Sequence, residues 1–233
     1  MQYRIRTAVA ATAGLSMLGA GLSSPARAAA PDACEDAGSS CTIVSRADVD
    51  GDGVRDSVSQ VAWGGQADGT GKITTRVVTA DGERMSTVTE HDLREGAGYF
   101  GAAEIDGEDG YEIVTRTTLG AHTAHHQVLT YRDGRLTSLQ DPHNRYRWIT
   151  DSSAWSAAGY ERTTTADGDA KLLTRTAVDD DRDGDYTMTL RSSSWNTQRK
   201  TWQRLGETTR HDLGEEEVRR APWWRVPGLP YGV

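Results

Sequence analysis

An all-β chain of antiparallel four-strand repeat units is the fold class the sequence predicts, and three observations predict it. Short segments rich in Thr, Val, Ile, Tyr and Trp are broken by Asp-Gly or Gly clusters, the punctuation of strands and turns. Apolar residues alternate within them: Tyr186, Met188 and Leu190 with Thr187, Thr189 and Arg191, and Leu129 and Tyr131 with Thr130 and Arg132, the two-residue period of a half-buried strand. An acidic loop then recurs three times along the chain, as a repeat architecture requires. No segment keeps a helical period for three turns, and the strands number about twelve, with turns at Asp81-Gly82, Asp133-Gly134 and Asp167-Gly168.

Taken in chain order, residues 1–28 read as an export signal. Arg4 and Arg6 form a short basic region, Thr7 to Leu22 is uncharged and apolar or small, and Ala26-Arg27-Ala28 supplies a small-x-small cleavage pattern, so cleavage is expected near Ala28. No other segment is apolar enough to span a bilayer, and the mean hydropathy is -0.63. The expected product is a secreted, extracellular protein with no membrane span. The chain carries 26 Lys plus Arg against 34 Asp plus Glu. Removal of the signal takes away Arg4, Arg6 and Arg27 and no acid, which leaves the product more acidic, so nucleic acid is not an expected partner.

Residues 29–41 form a polar lead that contains both cysteines, Cys34 and Cys41. A lone close pair in an exported chain is most simply a disulfide, since a two-cysteine metal site lacks further ligands and a redox pair would have Cys-x-x-Cys spacing. Residues 42–220 carry the β-repeats. Residues 221–233 hold three prolines with Trp223 and Trp224 and read as an extended tail that these tryptophans tether to the domain.

The loops carry the chemistry. Asp48, Asp50, Asp52 and Asp56 stand at positions 1, 3, 5 and 9 of the first loop, with Val54 at position 7. Glu104, Asp106, Glu108 and Glu112 repeat this pattern 56 residues later, with Gly110 at position 7. Asp179, Asp181 and Asp183 repeat the first three acids, with Thr187 at position 9. Alternate carboxylates on a tight loop converge their oxygens, and the carbonyl at 7 and the acid at 9 complete an oxygen cage that suits calcium better than zinc or magnesium. The first loop is the best such cage. Longer Glu side chains crowd the second, and the third lacks the ninth acid. The competing reading of each loop is a solvated acidic turn that binds no ion.

Asp48 to Asp56 resembles the Asp-x-Asp-x-Asp-Gly-x-x-Asp loop of FG-GAP or VCBS-type repeats, and Phe100-Gly101-Ala102-Ala103 is similar to the Phe-Gly-Gly-Ala signature before the second loop. The resemblance implies blades of the integrin α-chain type of β-propeller, in which the loop binds calcium and stabilises adjacent strands. About 200 residues after the signal allow three or four blades, so the expected architecture is propeller-like with about three blades, or a related open β-repeat arrangement. The chain also looks like small secreted actinobacterial VCBS-repeat proteins.

Other constellations have plainer readings. Gly96-Ala97-Gly98-Tyr99-Phe100-Gly101 matches a dinucleotide fingerprint but leads into an acidic loop instead of a helix. His122, His125 and His126 suggest either a metal-dependent hydrolase or exposed hairpin histidines, the second being expected. No Gly-x-Ser-x-Gly elbow is present. Seven tryptophans against one Phe are either core fillers or, for Trp148, Trp155, Trp223 and Trp224, a surface platform for sugar rings. The expected function is therefore a non-catalytic, calcium-stabilised domain that binds an extracellular protein or glycan. The alternatives are a lectin-like module and a secreted metal-dependent hydrolase.

Overall fold

A computed structural model describes residues 29–63, 70–92, 98–219 and 224–230. The expected signal, Gly96, Ala97 and Trp223 lie outside the described residues.

Three antiparallel meanders follow one another. The first is β1 (Cys41–Ala47), β2 (Asp56–Trp63), β3 (Thr70–Val78) and β4 (Arg84–Asp92), paired in that order. The second is β5 (Gly98–Ala103), β6 (Glu112–Leu119), β7 (Thr123–Arg132) and β8 (Arg135–Leu139). The third is β9 (Trp148–Ser152), β10 (Ser156–Thr164), β11 (Ala170–Val178), β12 (Tyr186–Asn196) and β13 (Thr201–Leu213). A single-turn helix, α1 (Glu215–Arg219), and a two-residue strand, β14 (Trp224–Arg225), complete the described elements. The fold is all-β and antiparallel throughout the meanders, and the described strands form no closed barrel.

The turns form where the sequence places them. Asp133 and Gly134 both have positive φ, at 52° and 75°, as a two-residue hairpin between right-twisting strands requires. Gly82 and Gly168 take the same region in the β3–β4 and β10–β11 connections.

The repeat is visible in the register. Ala47 pairs with Asp56 across the first loop, Ala103 with Glu112 across the second and Val178 with Thr187 across the third, so position 9 occupies the same closing pair each time. The ladder also slips between Ile43 and Ser45 and again between Tyr99 and Gly101, two bulges 56 residues apart. The third loop is nevertheless out of step. The first two loops join the first and second strands of their meanders, whereas the third joins β11 to β12, the third and fourth strands of its own.

The second and third meanders fuse because β7 is long enough for two partners on one side. Its C-terminal half, from Val128 to Arg132, pairs with β8, and its N-terminal half, from Thr123 to His126, pairs with β9. Beyond the end of β9, β14 runs parallel to β10 and pairs Trp224 with Tyr160.

Burial follows this arrangement. Val49, Val58, Val77, Ile113, Leu129 and Leu136 form the core between the first and second meanders. Inside it Gln60 donates to Thr75 Oγ1 at 3.2 Å and to Thr115 Oγ1 at 3.0 Å, so a buried amide is satisfied from both meanders. A second core gathers Ile105, Val114, Val128, Trp148, Tyr160, Leu172 and Trp224. Trp148 lies 4.8 Å from Tyr160 and 5.8 Å from Trp224 between ring centroids, so tryptophan supplies here the bulk that phenylalanine commonly supplies. The tail crosses to β5, where a Cβ on Gly101 would lie 2.6 Å from Leu229 Cδ2. The small residues Gly101-Ala102-Ala103 thus make room for the strap. Cys34 and Cys41 are joined as a disulfide with Cα atoms 5.5 Å apart, and the Ser59 hydroxyl and Ala33 carbonyl tie the lead to β2 at 3.1 Å.

Candidate metal centre and its sister loop

The first loop is organised by its own backbone. Asp48 accepts the Gly51 and Gly53 N–H groups through its two oxygens, each at 2.8 Å, and Asp50 Oδ1 accepts Asp52 N–H at 3.1 Å. Asp52 Oδ1 accepts the Val54 N–H at 2.7 Å. Asp56, fully buried at the start of β2, takes Val49 N–H at 2.7 Å on one oxygen and Ala80 N–H at 3.0 Å on the other. These bonds draw the acids inward. Carboxylate oxygens of Asp48, Asp50 and Asp56 come within 4.8 Å of one another.

Burial, then repulsion from Asp56, Asp52 and Asp48, pushes the Asp50 carboxyl up to about 6, against the hydrogen bond from Asp52. The Asp56 carboxyl also rises, chiefly through burial. None of Asp48, Asp50 and Asp56 forms an ion pair with a described residue. A hard divalent cation with oxygen ligands answers this arrangement chemically, because it relieves repulsion among three carboxylates that form no ion pair with a described residue.

The second loop has the same frame with a different centre. Ile105 N–H donates to Glu112 Oε2 at 2.7 Å, as Val49 does to Asp56, and Glu108 N–H donates to Asp106 Oδ1 at 2.9 Å, as Asp52 does to Asp50. Into this frame projects Arg132 from the end of β7. Its Nη2 lies 2.5 Å from Asp106 Oδ2 and 3.8 Å from Glu112 Oε1, and its Nε lies 2.9 Å from Glu108 Oε2. A guanidinium therefore sits among the acids. Glu112, 1% exposed, is pushed up to about 8, first by burial and then by Asp106, with Arg132 and two hydrogen bonds opposing. Glu104 turns away and pairs with Arg162 Nη2 at 3.0 Å. Glu108 also accepts Trp195 Nε1 at 2.7 Å.

The third loop gathers less. Asp179 is buried and accepts the Asp183 and Gly184 N–H groups at 3.2 and 3.0 Å, and Asp183 accepts from Asp185 at 3.0 Å, but Asp181 and Asp183 are exposed. The guanidinium of its residue Arg182 stacks over Trp155 at 5.4 Å.

Of the residues expected at the metal, the structure unites Asp48, Asp50 and Asp56. It leaves Asp52 as the cap of Val54. Gly110 serves the packing between loops: a Cβ there would meet the Val49 carbonyl at 2.5 Å, and one on Gly51 would meet Asp109 Cβ at 2.7 Å. The residue that sequence reasoning missed is Arg132. Its signal was present, a basic residue just before the Asp133-Gly134 turn of the second repeat, against Ala80 just before Asp81-Gly82 in the first.

One further expectation needs correction, and one alternative falls. The histidines are not a set of exposed hairpin groups. His122 is exposed, His125 is half-buried on β7, and His126 is 1% exposed between Phe100 and Trp224, with ring centroids 4.9 and 5.3 Å away. Burial drives the His126 imidazole down to about 3, so it packs as a neutral ring, whereas His122 lies exposed in the bend before β7. Nor do Trp148 and Trp224 form a surface platform, since both are core residues; Trp63 and Trp155 are the exposed tryptophans among the described residues.

No family model, curated protein or solved structure matches the chain.

Proposed function

We propose that the chain is an exported, non-catalytic β-repeat domain whose first acidic loop holds a structural calcium ion, and that it serves extracellular binding or adhesion. One observation carries the calcium assignment. Two loops share a backbone frame: in the first, Asp48, Asp50 and Asp56 converge within 4.8 Å and form no ion pair with a described residue, while the second receives Arg132 among Asp106, Glu108 and Glu112. A protein that supplies a cation to one copy of a cage, and none to its twin, leaves the twin to an external cation. Oxygen-only donors on a flexible loop favour calcium over zinc, which seeks nitrogen or sulfur.

Export is supported by the Cys34–Cys41 disulfide, which suits an oxidising compartment, and by the basic-apolar start of the chain. The likeness of both loops to FG-GAP or VCBS repeats fits a domain that presents a surface. Burial of His126 among aromatic rings argues against a hydrolytic centre at the histidines. Calorimetric titration of chelator-treated protein tests the assignment: one calcium per chain, weakened in Asp50→Asn, is expected. Binding of no calcium at millimolar concentration would mean that the loops are acidic turns only.

A further inference from the structure

We propose that the cavity between β8 and the β12–β13 hairpin binds a saccharide that carries one anionic group. The cavity measures about 390 Å³, inside the range of small-ligand sites, and holds room for a disaccharide-sized portion of a glycan. Tyr146, 61% exposed, and Trp195 both line it. Trp195 is held in place from both ends, by the 2.7 Å bond from its Nε1 to Glu108 and by an edge-to-face contact with Trp202 at 5.4 Å. Such a ring is preorganised to receive a flat ligand face without losing rotamer freedom.

The remaining lining says which ligand. Among its described residues Leu139 is the one aliphatic side chain, so a lipid or other wholly apolar ligand would leave polar groups without partners. Thr137, Ser138 and Gln140 offer hydroxyl, amide and carbonyl groups beside the aromatic rings. Apolar ring faces to stack and hydroxyls at the edge to hydrogen-bond are the combination a sugar presents.

Charge sets the class of sugar. Lys200 is compensated by Asp133 at 2.6 Å and Arg132 by the acids of the second loop, whereas Arg135 forms no ion pair among the described residues. One surplus positive charge faces the cavity of an otherwise acidic chain. A polyanion such as nucleic acid is repelled by the net charge of -8, but a single carboxylate or sulfate on a sugar matches Arg135.

The site is independent of the cation in the first loop, so it is tested in chelator and again in calcium. Sialyllactose, with its carboxylate, and sulfolactose, with its sulfate, are titrated calorimetrically against lactose. At least one acidic sugar is expected to bind about tenfold or more tightly than lactose, a difference of about 1.4 kcal/mol. Both variants used are exposed residues outside the cores. Arg135→Gln should bring the acidic-to-neutral ratio to about one, and Tyr146→Ala should weaken every sugar about tenfold. No binding at millimolar sugar, equal or tighter binding of lactose, or an unchanged result in either variant overturns the proposal. Loss of calcium binding with sugar binding intact would strike the first loop alone.

Discussion

The backbone N–H of Tyr111 donates to the carbonyl oxygen of Asp48 at 2.7 Å, joining the last residue before β6 to the first acid of the other loop. This bond, with the close approach of Gly51 to Asp109 and of Gly110 to Val49, locks two acidic loops together. Like-charged loops in contact would repel one another. Arg132 offsets the charge of one, and a cation in the other would complete the neutralisation. The loops thereby connect the first meander to the second at one end, where a bound cation would act on the packing of two meanders and not on a single turn.

Calcium should therefore raise the melting temperature. At a hundredfold excess over Kd a cation bound only to the folded chain contributes about 2.7 kcal/mol. For a domain of this size that corresponds to a Tm rise of about 5–10 °C. Magnesium should give less. Asp50→Asn keeps the acceptor for Asp52 N–H and removes one of the repelling charges, so in chelator it should be at least as stable as the parent while its response to calcium is lost. Differential scanning calorimetry checks both statements.

Arg132→Gln should leave Asp106 and Glu108 without their shared cation. Removing one partner of a buried ionic group costs about 3–5 kcal/mol, and a loss near the lower end is expected because Glu112 can retain a proton. If the guanidinium stands where a metal would, calcium should partly restore the variant and its stoichiometry should rise from one to two. Urea titrations with and without calcium read the first quantity and calorimetry the second. Restoration by magnesium as well as by calcium would show simple charge screening.

Glu112 gives a pH signature. Its carboxyl keeps its proton to about 8 in the folded chain, against an ordinary value of 4.5. Between those values the folded state binds more protons than the unfolded state, so this group's contribution to stability is full below about 4.5 and declines as pH rises towards about 8. Glu112→Gln retains an acceptor for Ile105 N–H, can donate its amide to Thr130 Oγ1 in place of accepting from it, and removes the titration. The difference in unfolding free energy between variant and parent should therefore grow in favour of the variant across that interval. A difference that does not change with pH would place the titration elsewhere.

Trp224 anchors the strap. It is 1% exposed and touches the rings of Phe100, His126, Trp148 and Tyr160. Trp224→Ala should destabilise by about 3–5 kcal/mol through the cavity it leaves. Because the strap also covers Gly101, limited proteolysis should cut the variant first in the C-terminal segment, well before the meanders are cleaved.

What the sequence determined by itself was local or periodic. Alternation at Tyr186, Met188 and Leu190 specified β12, positive-φ demands located the Asp133-Gly134 hairpin, and spacing paired Cys34 with Cys41, since each depends on neighbours a few residues away. The repeat was legible for the same reason, and its closing pairs fall at the expected ninth positions. Only the tertiary structure decided which acids converge, that Arg132 enters the second loop from 20 residues beyond Glu112, and that β7 serves two partners and so merges two meanders. It also decided that His126 and Trp224, polar-edged and rich in exposed-looking neighbours, pack as core. Those outcomes depend on strand register and on contacts between distant segments, and a residue's own type and near neighbours do not specify what will be laid across it.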